Sequence, residues 1–139
     1  MNPPANFPIQ DLWLKQLKWL LIATFTSSIL HYVDNILFFD DYPEPIWINP
    51  HIVDLFWFVM TPLAPLGYQM LKARRYLLGL GLIVGYGLAN MLTLGHYKYA
   101  PFLDISPKIH VLILVEAALA CLLIGYVIAF YIKSTKLHN

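Results

Sequence analysis

Residues 30–54, LHYVDNILFFDDYPEPIWINPHIVD, decide how this chain is read. His31, Asp34 and Asn35 close one very apolar segment, and His51 and Asp54 open the next across a short acidic turn that contains prolines. A turn this short forces the two segments into antiparallel contact, so the two polar groups face one another. A carboxylate at the centre of a membrane helix costs ~2.5–3.5 kcal/mol on insertion scales, whereas a leucine there returns only ~0.3–0.6 kcal/mol. Groups held at that cost are kept for pairing, binding or chemistry.

The rest of the chain has the same character. Of its 139 residues, 59% are hydrophobic and 12% charged, and the mean hydropathy is +0.61, too apolar for an ordinary water-soluble domain. Four apolar stretches, 16–39, 51–71, 76–97 and 109–132, each have the ~20 residues a helix needs to cross a hydrocarbon core. Together they predict an all-α integral membrane four-helix bundle, with residues 1–139 forming a single transmembrane domain. The opening MNPPANFPIQDLWLKQ has neither the basic start nor the small-residue cleavage pattern of a signal peptide, so the first segment counts as structure. The single cysteine, Cys121, excludes an intrachain disulfide.

Charge sets an expected topology. Lys15, Lys18, Lys72, Arg74, Arg75, Lys133 and Lys136 fall on one side of the four segments, and only Lys98 and Lys108 on the other. By the positive-inside rule the segments form a multi-pass membrane protein with both termini cytoplasmic. The acids favour the opposite side, with Asp40, Asp41, Glu44 and Asp104 in the two non-cytoplasmic connections. A net charge of +1 leaves no basic surface for nucleic acid.

Each segment contributes to one polar level. His31 and Asn35 share a helical face at i, i+4, with Asp34 beside them. In the second segment Asp54, Trp57 and Thr61 share a face, and Pro62 and Pro65 predict a kink or local opening. The third is rich in glycine, with Gly81 and Gly85 at small-xxx-small spacing, and places Tyr86 and Asn90 on one face. The fourth carries Ala117, Cys121, Gly125 and Ala129 four apart, a stripe able to pack within the bundle or between two copies in a homodimer. Glu116 lies about two turns inside that helix, and Asp34, Asp54, Asn90 and Glu116 all come out roughly 5–10 Å below the non-cytoplasmic helix ends.

Three readings of this constellation remain open. The polar groups can be interhelical glue, although glue is more often Ser, Thr, Asn or Gln than three acids. They can form a metal-binding or proton- or ion-coupled transport site, because His31/Asp34 and His51/Asp54 are each i, i+3 pairs, with His96, His110 and Glu116 on the same side. Or they can line an acidic pocket for a lipophilic ligand.

The third reading carries a family resemblance. ILHYVDNILFFDDY, IVDLFWFVMTPLAPLGYQ, LIVGYGLANMLTLGHY and HVLILVEAALACLLIGYVI resemble the four helices of the EXPERA family, the emopamil-binding sterol isomerases and sigma-2-receptor-like membrane proteins. Matched by position, His31 with Asp34 resembles the family's first polar element and Asp54 its second-helix acid. Asn35 stands at the isomerase's acid spacing from His31, Glu116 in place of an asparagine, and Leu119 in place of a tryptophan. The resemblance implies a pocket for a sterol-like, isoprenoid or cationic amphiphilic small molecule. If the protein is an enzyme, it implies double-bond isomerisation without a cofactor or resident metal. His31, Asp34, Asp54 and Glu116 are then the candidate catalytic groups, and Asn35, Trp57, Tyr86 and Asn90 the candidate ligand-binding ones.

Overall fold

A computed structural model describes residues 7–136. Helix α1 (Phe7–Leu37) passes through a 3₁₀ turn (Phe39–Asp41) into an irregular loop. Helices α2 (Pro50–Met60), α3 (Leu63–Lys72) and α4 (Tyr76–Met91) follow, with α4 tightening into a 3₁₀ stretch (Leu92–Lys98). A second 3₁₀ turn (Phe102–Asp104) precedes helix α5 (Pro107–Lys136). No strand occurs among the described residues. Asp11–Leu37, Tyr76–Lys98 and Pro107–Lys133 are helical stretches long and apolar enough to cross a membrane, the mark of a membrane protein. Trp19, Leu30, Leu55, Leu77, Val111 and Leu122 are each more than half exposed, an apolar exterior suited to lipid.

The expected bounds shift for local reasons. The described part of helix α1 reaches back to Phe7, past the expected start at residue 16. Pro107 opens α5, where the Ser106 Oγ accepts from the Ile109 N–H at 3.4 Å. The second segment, expected as one helix over 51–71, is two. Asn49 caps α2 by accepting from the Ile52 N–H at 3.1 Å, and the helix breaks at Thr61–Pro62, where proline offers no N–H and crowds the preceding turn. Three of the four expected segments are therefore single helices of spanning length.

Helices α1 and α5 run antiparallel, as their partners show. Lys108 meets Asp34, Glu116 meets His31, and the Tyr126 hydroxyl reaches the Trp13 carbonyl at 3.0 Å and the Gln16 side chain at 2.9 Å. Helix α4 packs on α5, and α3 packs on α4. Leu17, Leu21, Leu71, Leu80, Ile83 and Leu123 belong to one apolar core, and Tyr42, Ile105, Ile109 and Ile113 form a second. Between them along α1 and α5 lie the buried polar residues Thr24, Ser27, Ser28, His31, Asn35 and Glu116. Helix α2 has no buried residue and touches α1 and α3 only lightly.

Close helix approach uses glycines other than the expected pair. A Cβ built at Gly67 would lie 2.6 Å from Ile83 Cγ1 and 3.0 Å from the Gly79 carbonyl oxygen, whereas one at Gly81 meets nothing within 4 Å. Gly87 plays the same part between α4 and α5, where a Cβ would fall 2.7 Å from Ile124 Cγ1. The small-residue stripe of α5 also diverges from its expected course. Ala117 is buried, but Cys121, Gly125 and Ala129 are exposed, because a four-residue repeat drifts by about 40° per step against a 3.6-residue turn. Gly79→Ala is expected to lower stability by about 1–3 kcal/mol through overpacking. Gly81→Ala is expected to be neutral or to add up to about 1 kcal/mol from helix propensity. Thermal unfolding of both variants in one detergent checks the contrast.

Candidate functional site

Spacing on α1 creates the first wall of the site. Thr24, Ser28, His31 and Asn35 recur at intervals of four, three and four, so they share one face, and all four are buried. His31 turns Nδ1 toward α5, where it pairs with Glu116 Oε2, and toward the 3₁₀ stretch after α4, where Thr93 Oγ1 lies at 3.0 Å.

A second histidine–carboxylate pair stands beside the first. The His96 ring centre is 5.5 Å from that of His31, and its Nδ1 faces Glu44 Oε1 at 3.6 Å and the Pro43 carbonyl at 3.3 Å. Glu44 also accepts from Asn35 Nδ2 at 3.1 Å, which ties the loop after α1 back onto α1. Tyr42 completes the group, with its ring 5.5 Å from His31 and 5.3 Å from His96.

These groups form the polar end of a cavity of about 430 Å³. Its apolar body is built by Ile52, Val53, Phe56, Trp57 and Met60 of α2, with Pro45, Trp47 and Ile48 of the loop above them. Tyr86 and Asn90 enter from α4. Among the described residues, five buried polar atoms have no hydrogen-bond partner of ordinary geometry, His31 Nε2, Asn35 Oδ1, Trp57 Nε1, Tyr86 Oη and Asn90 Oδ1, although the Tyr86 hydroxyl lies close enough to Asn90 and Ser28 to interact with both. All five belong to residues that line this cavity. Buried polar groups in folded proteins are nearly always satisfied, and these atoms face a cavity from which water or a bound molecule can satisfy them.

Six of the eight candidate residues thus come together: His31, Asn35, Trp57, Tyr86, Asn90 and Glu116. Asp34 and Asp54, expected in the same lining, lie outside it. Asp34 accepts from the Tyr42 hydroxyl at 2.8 Å and pairs with Lys108 Nζ at 2.9 Å, fastening α1 to the start of α5. It sits one position before Asn35, about 100° around the helix from the cavity face. Asp54 faces α1 and accepts from the Tyr32 hydroxyl at 2.5 Å. The i, i+3 pairing of His with Asp on these helices does not assemble either: His51 is exposed, and His110 is occupied by Tyr97 Oη and the Phe102 carbonyl, each at 2.9 Å. Among the described residues no group of three or more His, Cys, Asp or Glu is arranged to hold a metal ion.

Glu44, which the sequence places in a non-cytoplasmic connection, and His96, near the end of the third segment, also join this group. Their signals were present in sequence: Glu44 is clamped between Pro43 and Pro45, and His96 follows Thr93 at i+3. Comparison of the chain with family models, with characterised proteins and with solved structures gives no match.

Two outcomes follow from the buried network. Removing one member of a buried pair leaves the other unpaired, at about 3–5 kcal/mol, whereas replacing both by apolar groups is far better tolerated. Denaturant unfolding should therefore find Glu116→Leu strongly destabilising and His31→Leu/Glu116→Leu less so than the single variant. The second outcome concerns Tyr42, where burial and then the hydrogen bond to Asp34 hold the phenol well above its ordinary value of 10.0. The folded state thus keeps this proton longer than the unfolded chain, and the resulting stability, full below about pH 10, is lost as pH rises beyond it. Tyr42→Phe should flatten this alkaline decline in a series of Tm measurements against pH.

Proposed function

We propose that this protein binds a lipophilic small molecule within the membrane, its apolar body against α2 and its polar head against His31, Asn35, Tyr86 and Asn90. In this reading α2 and α3 together make the fourth crossing of a four-helix bundle, and the seven-to-two distribution of Lys and Arg puts both termini in the cytoplasm. The observation that carries the proposal is that the buried polar atoms without a good hydrogen-bond partner among the described residues all belong to side chains of α1, α2 and α4 that line one cavity. The cavity volume of about 430 Å³ lies within the ~300–1,000 Å³ typical of small-molecule sites, which are mostly apolar with a few placed polar groups.

The chemistry of the polar end favours an uncharged head group. Both carboxylates already face an imidazole, Glu116 that of His31 and Glu44 that of His96. The polar atoms left without a good partner are two amide oxygens, a phenol, an indole N–H and an imidazole nitrogen, none of them a carboxylate oxygen. A hydroxyl or amide can both donate to the amide oxygens and accept from the phenol or indole. This narrows the ligand classes implied by the resemblance to the EXPERA family toward sterol-like or isoprenoid alcohols. If the ligand is also a substrate, the His31–Glu116 pair is placed to exchange protons with it. An alkene isomerisation needs one proton added to one alkene carbon and another removed from the carbon on the far side of the resulting cation, with no net oxidation or reduction.

Lipid extraction and mass spectrometry of the purified protein test the reading. The wild type should carry a stoichiometric neutral lipophile. Asn90→Leu and Glu116→Gln should retain about tenfold less, as expected for the loss of one ligand hydrogen bond or of the group that orients it. A wild-type protein with no lipophile above detergent background, or variants that retain as much as the wild type, would overturn it.

A further inference from the structure

Asp54 is an acid that the ligand pocket leaves unused, and its surroundings give it a role. The Tyr32 hydroxyl that donates to it belongs to a ring stacked on Trp57, with centres 4.7 Å apart and planes at 15°. Phe25 approaches the same indole at 6.0 Å. Tyr32 and Phe25 both lie on α1, so α2 is held along one edge. Beyond that edge α2 continues only into the break at Thr61–Pro62 and then α3, and it buries no residue.

The other edge of α2 borders the cavity mouth. Ile52 and Phe56 of α2, Leu92, Gly95 and Tyr99 of the segment after α4, and Trp47 of the loop line the cavity and each keeps a large accessible surface. A residue that does both stands at an opening. This frame is almost wholly apolar. Leu55, Phe58 and Val59 on α2 are each more than half exposed, a surface that hydrocarbon solvates and water does not.

We propose that this mouth is a side window onto the bilayer, through which a membrane-dissolved amphiphile reaches the cavity. The Asp54–Tyr32 hydrogen bond acts as the latch that keeps α2 from swinging about the Thr61–Pro62 break. The occupant rests on the ligand-pocket reading, but the route does not. A window facing hydrocarbon admits a solute already dissolved there and spares it a passage through water. A latch made of one hydrogen bond can be opened by thermal motion, so the width of the window fluctuates without disturbing α1, α4 or α5.

The test places a reporter thiol behind the window, Ala89→Cys on the cavity lining, in a Cys121→Ser background reconstituted in phosphatidylcholine vesicles. Two reagents are compared by intact-protein mass spectrometry: octyl methanethiosulfonate dissolved in the vesicles, and the water-soluble cation 2-(trimethylammonium)ethyl methanethiosulfonate. The octyl reagent should label the reporter and the cation should not. A Cβ at Gly95 meets nothing within 4 Å, so Gly95→Leu adds bulk beside the window without displacing a neighbour at Cβ. It should slow octyl labelling by about tenfold, the equivalent of a modest added barrier. Tyr32→Phe and Asp54→Asn should each accelerate octyl labelling severalfold and leave the cation excluded. Labelling by the cation at an equal or greater rate would overturn the proposal, as would absence of octyl labelling or an octyl rate unchanged in the three variants. Acceleration of both reagents in the latch variants would also count against it, since that is the signature of a loosened fold. Labelling requires no affinity for a head group, so a failed window and a failed ligand pocket give different results.

Discussion

The pairing of His31 with Glu116 is the constraint from which most of the architecture follows. Both side chains are buried on helices that run through apolar surroundings, where neither could be left alone without a penalty of several kcal/mol. They lie 85 residues apart in sequence, so satisfying them fixes the register of α1 against α5. With that register set, Leu17 and Leu21 share a core with Leu123 and Val127 on one side of the pair, and Tyr42 meets Ile109 and Ile113 on the other. The same register brings Asp34 to Lys108 and Gln16 to Tyr126. A helix pair zipped by apolar residues alone would tolerate sliding. A buried hydrogen-bonded pair does not.

Helix α2 is what this arrangement leaves at the margin. The α1–α5 and α3–α4–α5 contacts form a compact set in which glycines allow close approach. The polar layer, by contrast, widens the space beside α1. Glu44, fixed by Asn35 and facing His96, draws the loop after α1 over the histidines. Asn49 then caps α2 far enough out that a cavity separates it from α4. Proline at position 62 lets the chain turn back into the bundle as α3. The cavity is thus a consequence of polar side chains that pull a loop inward and a helix that cannot follow it.

Much of this was legible from residue types. The three spanning stretches and the second segment's prolines stand out in the sequence, because hydropathy and missing N–H groups act locally. Which acids join the cavity was not legible, because it turns on about 100° of helix rotation and on partners far away in sequence. Asp34 and Asn35 are adjacent, yet one meets Lys108 and the other Glu44. Gly81 and Gly85 have the spacing of a helix contact, but Gly67 and Gly79 make it. That pairing joins two helices whose relative orientation the spacing within one of them does not encode. His96 looked like a helix-end residue because the helix was expected to stop beside it. The chain instead tightens into 3₁₀ geometry and turns the ring inward onto Glu44.

The site's polarity and its weak wall are connected. An unpartnered buried polar atom destabilises the protein that carries it, and here five of them surround one space. Tight closure of α2 over that space would seal those atoms away from any partner and deepen the penalty. Loose attachment keeps the space large enough for a molecule that satisfies them. Stability is therefore concentrated where α1, α4 and α5 meet, and the element that borders the cavity is drawn from the least buried part of the fold, as binding regions generally are. An amphiphile that filled the cavity would supply the missing hydrogen bonds and the missing apolar contacts together. Its binding would then tighten the one helix that the protein's own packing leaves loose.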